Sequence, residues 1–197
     1  EPYRRQRQMC IRDRNKVWVG LSKETAHQLG TPISSLMAWM DLLESSGVDP
    51  SLLSDMNKDV NRLSVIAERF SKIGSKPEME LIYVNEVLEN ATEYMRRRVS
   101  DKVLITTHLP SDAEGAMVCL SLFEWVIENL CKNAVDAMNG EGRIDVYMTS
   151  EKQQIYIDIK DTGKGIARKN FKTVFNPGYT TKKRGWGLGL TLAKRII

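Results

Sequence analysis

The sequence predicts an α+β protein in two parts: a helical hairpin that pairs with a second copy as a four-helix bundle, then a mixed α/β domain. Three observations predict it. Two stretches carry apolar residues in steps of three and four, the run Gly74-Ser75-Lys76-Pro77 interrupts the second of them, and beyond that break helix-like and strand-like periods alternate. With 197 residues, 42% hydrophobic and 27% charged, the chain is long enough for two small domains and has an ordinary globular composition. Collagen-like, disordered and disulfide-scaffold chains are excluded, and no stretch approaches the roughly 18 consecutive apolar residues of a membrane helix.

The formal net charge of +4 is unevenly spread. Arg4, Arg5, Arg7, Arg12 and Arg14 against Glu1 and Asp13 put +3 on residues 1–14 and leave +1 for all the rest. That leader shows no helical or strand period and reads as non-native, adapter-like sequence; the alternative is a basic arm reaching nucleic acid or anionic lipid. Cys10 lies within it. Cys119 and Cys131 have neither CxxC nor zinc-ligand spacing, which points to buried packing in a reducing, cytosolic compartment.

Along the first helix the apolar series is Val19, Ala26, Leu29, Ile33, Leu36, Met40 and Leu43. Asp49 is a good N-cap and Pro50 an ideal first helical residue, so a second helix starts there, with the seam Leu53, Met56, Val60, Leu63, Ala67 and Phe70. Each stripe is too narrow to be buried by one partner alone, so two hairpins pair. After the break, Asn85 is placed to cap a helix over Glu86–Arg97. Val103, Ile105 and Thr107, then Ala116 and Val118, read as two short strands. Ser121 and Glu124 form a capping box for a helix reaching about Met138. Two alternating strands follow, through Ile144, Val146 and Met148 and through Ile155, Ile157 and Ile159, and helix-forming sequence closes the chain.

Three polar or glycine-rich patterns carry chemistry. At about 100° per residue Asn129, Asn133 and Asp136 share one stripe of their helix, flanked by apolar positions. Two asparagines one turn apart offer neutral oxygen ligands that suit Mg²⁺ shared with phosphate and water, although a solvated polar edge has the same pattern. Asp161-Thr162-Gly163-Lys164-Gly165-Ile166 follows a strand; a carboxylate fixed there accepts a hydrogen bond from the adenine amino group, while a plain turn fits equally. Gly185-Trp186-Gly187-Leu188-Gly189 runs into the last helix, where unpaired N–H groups make a phosphate site. Between them Thr180, Thr181, Lys182, Lys183 and Arg184 form either a phosphate-contacting loop or a solvated basic tip.

In that order and spacing, these elements resemble the N box and the two glycine boxes of the Bergerat ATP-binding fold, shared by histidine kinases, gyrase-type topoisomerases and a heat-shock chaperone family. The stretch Ala26-His27-Gln28-Leu29-Gly30-Thr31-Pro32-Ile33 resembles the phosphoacceptor box of sensor histidine kinases, and Phe175-Asn176-Pro177-Gly178-Tyr179-Thr180-Thr181-Lys182-Lys183 is similar to their ATP lid. The resemblance covers roughly Lys16 to Ile197. It implies a dimerisation and phosphotransfer hairpin over residues 15–74, a linker at 75–77 and, over 78–197, a C-terminally truncated ATP-binding domain of the histidine kinase/gyrase α/β sandwich type.

The activity it implies is ATP-dependent autophosphorylation of His27 and phosphoryl transfer to an aspartate of a response-regulator receiver domain. Cofactors are ATP and Mg²⁺. Asn133 is the principal metal ligand and Asn129 a second; Asp161 holds adenine; Gly163, Gly165, Ile166, Gly185, Gly187, Leu188 and Gly189 surround the nucleotide; and Thr180, Thr181 and Lys182 reach its phosphates. Partners are a second copy and the receiver domain, with no nucleic acid and no membrane contact in this segment, in a cytoplasmic protein whose membrane anchor, if it has one, lies upstream. Thr31, one turn after His27, matches the position that orients water for dephosphorylation of the regulator, which makes the enzyme a kinase and phosphatase.

Two residues depart from the family pattern. Gln28 stands where the family has a carboxylate base, so Glu24 is a candidate substitute, and Asp136 stands where a phosphate-contacting lysine is usual. Both leave room for a second reading, a dimeric scaffold that binds nucleotide without phosphotransfer. A gyrase- or chaperone-like ATPase is disfavoured by Asn129, which cannot activate water as a glutamate there does, and by the upstream hairpin. Pro32 removes a backbone donor and predicts a kink one turn beyond His27. His108 reads as structural.

Overall fold

The computed structural model describes residues 2–74, 77–182 and 187–197, with backbone alone for 2–23, 52 and 74. The chain divides into two compact units, Glu1–Pro77 and Glu78–Ile197.

The first unit is a hairpin of α1 (Pro2–Ser45) and α2 (Pro50–Gly74). Helix α1 begins at Pro2, so the aperiodic leader is helical in its backbone; arginine, glutamine and methionine are good helix formers even without an apolar stripe. The helix also runs on through Pro32 without a break in its assignment. Gly47, at φ +80°, opens the turn, and Asp49 Oδ1 accepts the Ser51 N–H at 2.8 Å, capping α2 as the sequence predicts. That hydrogen bond holds the Asp49 carboxyl below its ordinary pKa.

The two apolar seams part into two rows. Ala26, Ile33 and Met40 on α1 and Leu53, Val60 and Ala67 on α2 are buried. Leu29, Leu36 and Leu43, with Met56 and Leu63, stay 36–49% exposed. One helix of a hairpin can cover only one row of its partner, and the other row is left facing outward.

The second unit runs β1 (Glu80–Tyr83), α3 (Val84–Arg96), β2 (Val103–His108), β3 (Gly115–Val118), α4 (Leu120–Ala137), β4 (Gly142–Glu151), β5 (Gln154–Asp161), a 3-10 turn at Arg168–Asn170 and α5 (Gly189–Ile196). Strands β2, β4 and β5 form one sheet, β2 parallel to β4 and β4 antiparallel to β5, while β1 and β3 pair as a separate antiparallel ribbon. The β4–β5 hairpin turns at Lys152 and Gln153, both at positive φ. Ile144, Val146 and Met148 of β4 point into a core completed by Ile105 of β2, Leu88 and Met95 of α3 and Phe123, Ile127 and Cys131 of α4. Side chains this deeply buried contribute about 1.5–3 kcal/mol each.

Several local expectations need correction. Helix α3 starts at Val84 with Tyr83 as N-cap, so Asn85 sits inside the first turn; its Oδ1 is buried without a partner. Helix α4 starts at Leu120, its N-cap is Cys119 with no side-chain cap, and Ser121 lies within the helix. In both cases an apolar residue, Val84 or Leu122, is drawn into the core and pulls the helix start toward the strand before it. Strand β1 had no alternation strong enough to be seen in the sequence. Cys119 and Cys131 are both buried and unpaired. His108 stacks on Tyr147 with centroids 4.4 Å apart and faces Asp145 Oδ1 at 3.3 Å, a structural placement on the sheet surface.

Candidate functional site

On α1 the heptad burial of Ala26 and Ile33 turns the intervening His27, Gln28 and Thr31 outward, and all three are exposed. His27, Gly30, Thr31 and Ser34 share one hollow with Glu24 and with Ser71 of α2. The hydrogen bond that Glu24 makes here is to Gln28. Glu24 Oε1 accepts a hydrogen bond from the Gln28 side-chain amide at 2.7 Å, the i,i+4 contact that two such side chains make on any helix surface.

In the second unit the polar stripe of α4 is the meeting point. Val126, Ile127, Cys131 and Ala134 are buried, which leaves Asn129 and Asn133 half-buried at the edge of the core and Asp136 exposed. Helix α5 packs on α4 so closely at Gly189 that a Cβ there would overlap the Asn129 side-chain amide. Asn129 Nδ2 is buried there with no hydrogen-bond partner. A buried unpaired amide donor is costly, and an incoming anionic or carbonyl oxygen is what would satisfy it.

The loop after β5 is fixed to the C-terminal end of the same helix. A Cβ on Gly163 would lie 2.7–2.8 Å from the backbone and side chain of Ala137, and Lys164 N–H donates to the Ala137 carbonyl at 3.2 Å. Asp161 ends β5 exposed, and its Oδ1 accepts the Gly163 N–H at 2.8 Å, so one carboxylate oxygen shapes the turn. Gly165 adopts φ +67° and Ile166 is about half exposed. Thr162, which carried no weight in the sequence, ties the region together: its hydroxyl accepts from Arg143 N–H at 3.0 Å and meets Met138 Sδ at 3.3 Å. Gly142 is also required, since at φ +150° a Cβ there would lie 2.6 Å from both Met138 Sδ and Thr162 Oγ1.

The lid segment reaches α4 through Lys182. Its ammonium donates to Asn133 Oδ1 at 2.8 Å and pairs with Asp136 Oδ2 at 2.5 Å. Thr180 Oγ1 accepts the Lys182 N–H at 3.1 Å, while Thr181 is exposed. Gly187, at φ +64°, lies against Gly178 and Tyr179 and accepts the Gly178 N–H at 3.1 Å. Thr191 Oγ1 donates to the Phe175 carbonyl at 3.1 Å. Leu188 is half-buried as the N-cap of α5. Gly185, Lys183 and Arg184 lie outside the described residues.

Asn129, Asn133, Gly163, Lys182 and Gly189 thus converge on one half of α4, whereas Asp161 and Ile166 stand at the exposed margin. Among the described residues no group of three His, Cys, Asp or Glu side chains is placed to hold a metal ion. Neutral amide oxygens together with phosphate suit magnesium without such a cluster, and the Asn129 amide keeps an unpaired donor where α4 meets α5.

Residues 120–197 match the family described as histidine kinase-, DNA gyrase B-, and HSP90-like ATPase. The chain is 27% identical over 201 residues to the signal transduction histidine-protein kinase AtoS of Escherichia coli, covering 98% of this chain and 33% of that protein. To sporulation kinase D of Bacillus subtilis it is 26% identical over 185 residues, 90% of this chain and 36% of that one. The chain therefore spans about a third of the length of these relatives. Among solved structures, full-length ShkA in complex with AMPPNP superposes with a TM-score of 0.66 at 16% identity, over 90% of this chain and 40% of that one. The mycobacterial sensor histidine kinase MprB does so at 0.54 and 23%, over 60% and 77%. These matches make the chain similar to sensor histidine kinases along most of its length, with the ATPase-family match confined to residues 120–197.

Proposed function

We propose that this chain uses ATP to phosphorylate His27 and passes the phosphoryl group to an aspartate of a response-regulator receiver domain. The observation that carries the nucleotide part is the convergence of Asn129, Asn133, Gly163, Lys182 and Gly189, spread over 60 positions of sequence, on one half of α4. A His27 ring nitrogen attacks the γ-phosphorus, the bond to the β,γ-bridging oxygen breaks, ADP leaves and the imidazole proton passes to solvent. Positioning and charge neutralisation do most of the work in such a transfer.

Asn133 and Asn129 offer the amide oxygens for Mg²⁺, which when bound offsets the charge of the phosphate oxygens. Asp161 keeps one oxygen beyond its turn hydrogen bond for the adenine amino group. Gly163 and Gly189 let backbone approach closely, and Lys182 brings an ammonium to the phosphates. A homodimer is supported by the outward row Leu29, Leu36, Leu43, Met56 and Leu63. Thr31, one turn from His27 and exposed beside it, supports phosphatase activity toward the regulator. A cytoplasmic setting accords with the described residues, in which no helix is long and apolar enough to cross a membrane.

With radiolabelled ATP, acid-labile and base-stable label is expected on the protein and absent from His27→Ala; label that survives that change overturns the assignment. The Gln28–Glu24 hydrogen bond favours a second reading, a nucleotide-binding scaffold without transfer. ATP binding with no label on His27 under any metal condition would select it.

A further inference from the structure

The Lys182 ammonium lies on the very oxygen proposed to receive a divalent cation. Asn133 Oδ1 accepts from it at 2.8 Å, and Asp136, one turn further along α4, pairs with it from the other side. The two lysine contacts span 49 and 46 positions of sequence, so tertiary folding alone makes them. Asp136 puts a carboxylate on this turn of α4, and the segment carrying Lys182 brings a cation to it. An ammonium and a divalent ion cannot share one amide oxygen, because at about 3–4 Å their repulsion is substantial even at high effective dielectric.

We propose that Asp136 is a positioning residue that parks Lys182 on Asn133 as an internal cation, so that metal-bound nucleotide must exchange with it and thereby frees the lid lysine for the phosphates. The lid is then held against α4 in the absence of metal-nucleotide and released in its presence. Lys182 and Asp136 are 40% and 54% exposed, so the pair is a weak, reversible latch. The proposal rests on the nucleotide-binding reading of this site, and its test separates the two.

Asp136→Asn keeps the shape of the side chain and removes its charge at an exposed position. In the nucleotide-free chain, amide hydrogen exchange over residues 175–182 is expected to quicken about two- to fivefold, the range set by the strength of an exposed ion pair. Affinity for ADP with Mg²⁺ should tighten by about threefold, since the ion pair is gone and only the Asn133 hydrogen bond is left to displace. Affinity for ADP in EDTA should stay unchanged, because without metal the ammonium need not leave Asn133, and Asp136→Glu should resemble the parent in all three measurements. Unchanged exchange in Asp136→Asn overturns the latch. Mg-ADP affinity that is unchanged or weaker does so too, a loss meaning that Asp136 draws the metal in directly. If the parent chain binds ADP in neither condition, the nucleotide reading falls, while the exchange measurement still decides the latch.

Discussion

The side-chain amide of Gln28 donates to Glu24 Oε1 at 2.7 Å, one turn back along α1, beside the exposed His27. The only carboxylate that α1 offers near the imidazole within one turn is thus turned to an amide. Gln28 itself accepts no proton, and the Glu24 carboxylate is engaged by the Gln28 amide. Replacing Gln28 by Glu is expected to raise the initial rate of His27 labelling on the order of a hundredfold, the low end of what a placed base contributes. Glu24→Gln should leave that rate within about twofold, because its carboxylate serves Gln28; a collapse of labelling in Glu24→Gln would return Glu24 to the role of base.

The outward row of the hairpin sets the second expectation. Leu36 and Leu63 are 41% and 44% exposed, while their neighbours one heptad row away, Ile33 and Val60, are buried. Leu36→Lys with Leu63→Lys should convert a dimer to a monomer in sedimentation equilibrium, since burying each charge costs on the order of 2 kcal/mol or more. Helicity by circular dichroism should persist, as the inner row is untouched. A dimer that withstands both changes would place its interface elsewhere.

Gly189 tests the seat of α5. Any Cβ there overlaps the Asn129 amide, so Gly189→Ala must shift α5 or turn Asn129 away. A loss of roughly 1–3 kcal/mol in thermal unfolding, typical of forced overpacking, is expected, together with weakened ADP binding. Gly165→Ala meets nothing within 4 Å and costs only the strain of its positive φ, about 1 kcal/mol, so it should fall well below Gly189→Ala in both measurements.

Cys131 is fully buried in the core of the second unit, and burial pushes its thiol up to about 11. In a chain with Cys10 and Cys119 replaced by serine, a thiol reagent at pH 8 should label Cys131 only in denaturant. The neutral thiol is the form that the fold favours. Its contribution to stability is therefore complete below the ordinary value of 9.0 and is lost as the pH rises toward about 11. Rapid labelling under native conditions would mean that α4 opens readily from the sheet.

What could be read from the sequence followed from short-range regularities. The seams of α1 and α2, the Asp49 cap, strands β2 to β5 and the order of the three site motifs all lie within windows where helical or strand period and turn chemistry are expressed locally. Helix starts were misplaced at Asn85 and Ser121, because a cap is a weak preference and burial of Val84 and Leu122 outweighs it. The four-residue β1 was invisible, since its stability comes from pairing with β3 more than 30 positions away.

By itself the sequence determined the two-part architecture and the exposed His27 between buried heptad positions, and it nominated the candidates to meet a metal, adenine or phosphate. Tertiary structure decided how those residues pair. It gave Glu24 to Gln28, set Gly189 on Asn129 and Gly163 on Ala137, and brought Lys182 across 49 positions to Asn133. Those pairings depend on where β5 ends, how α5 lies on α4 and how the loop between them returns. Packing of the whole core fixes such distances, and no local period encodes them.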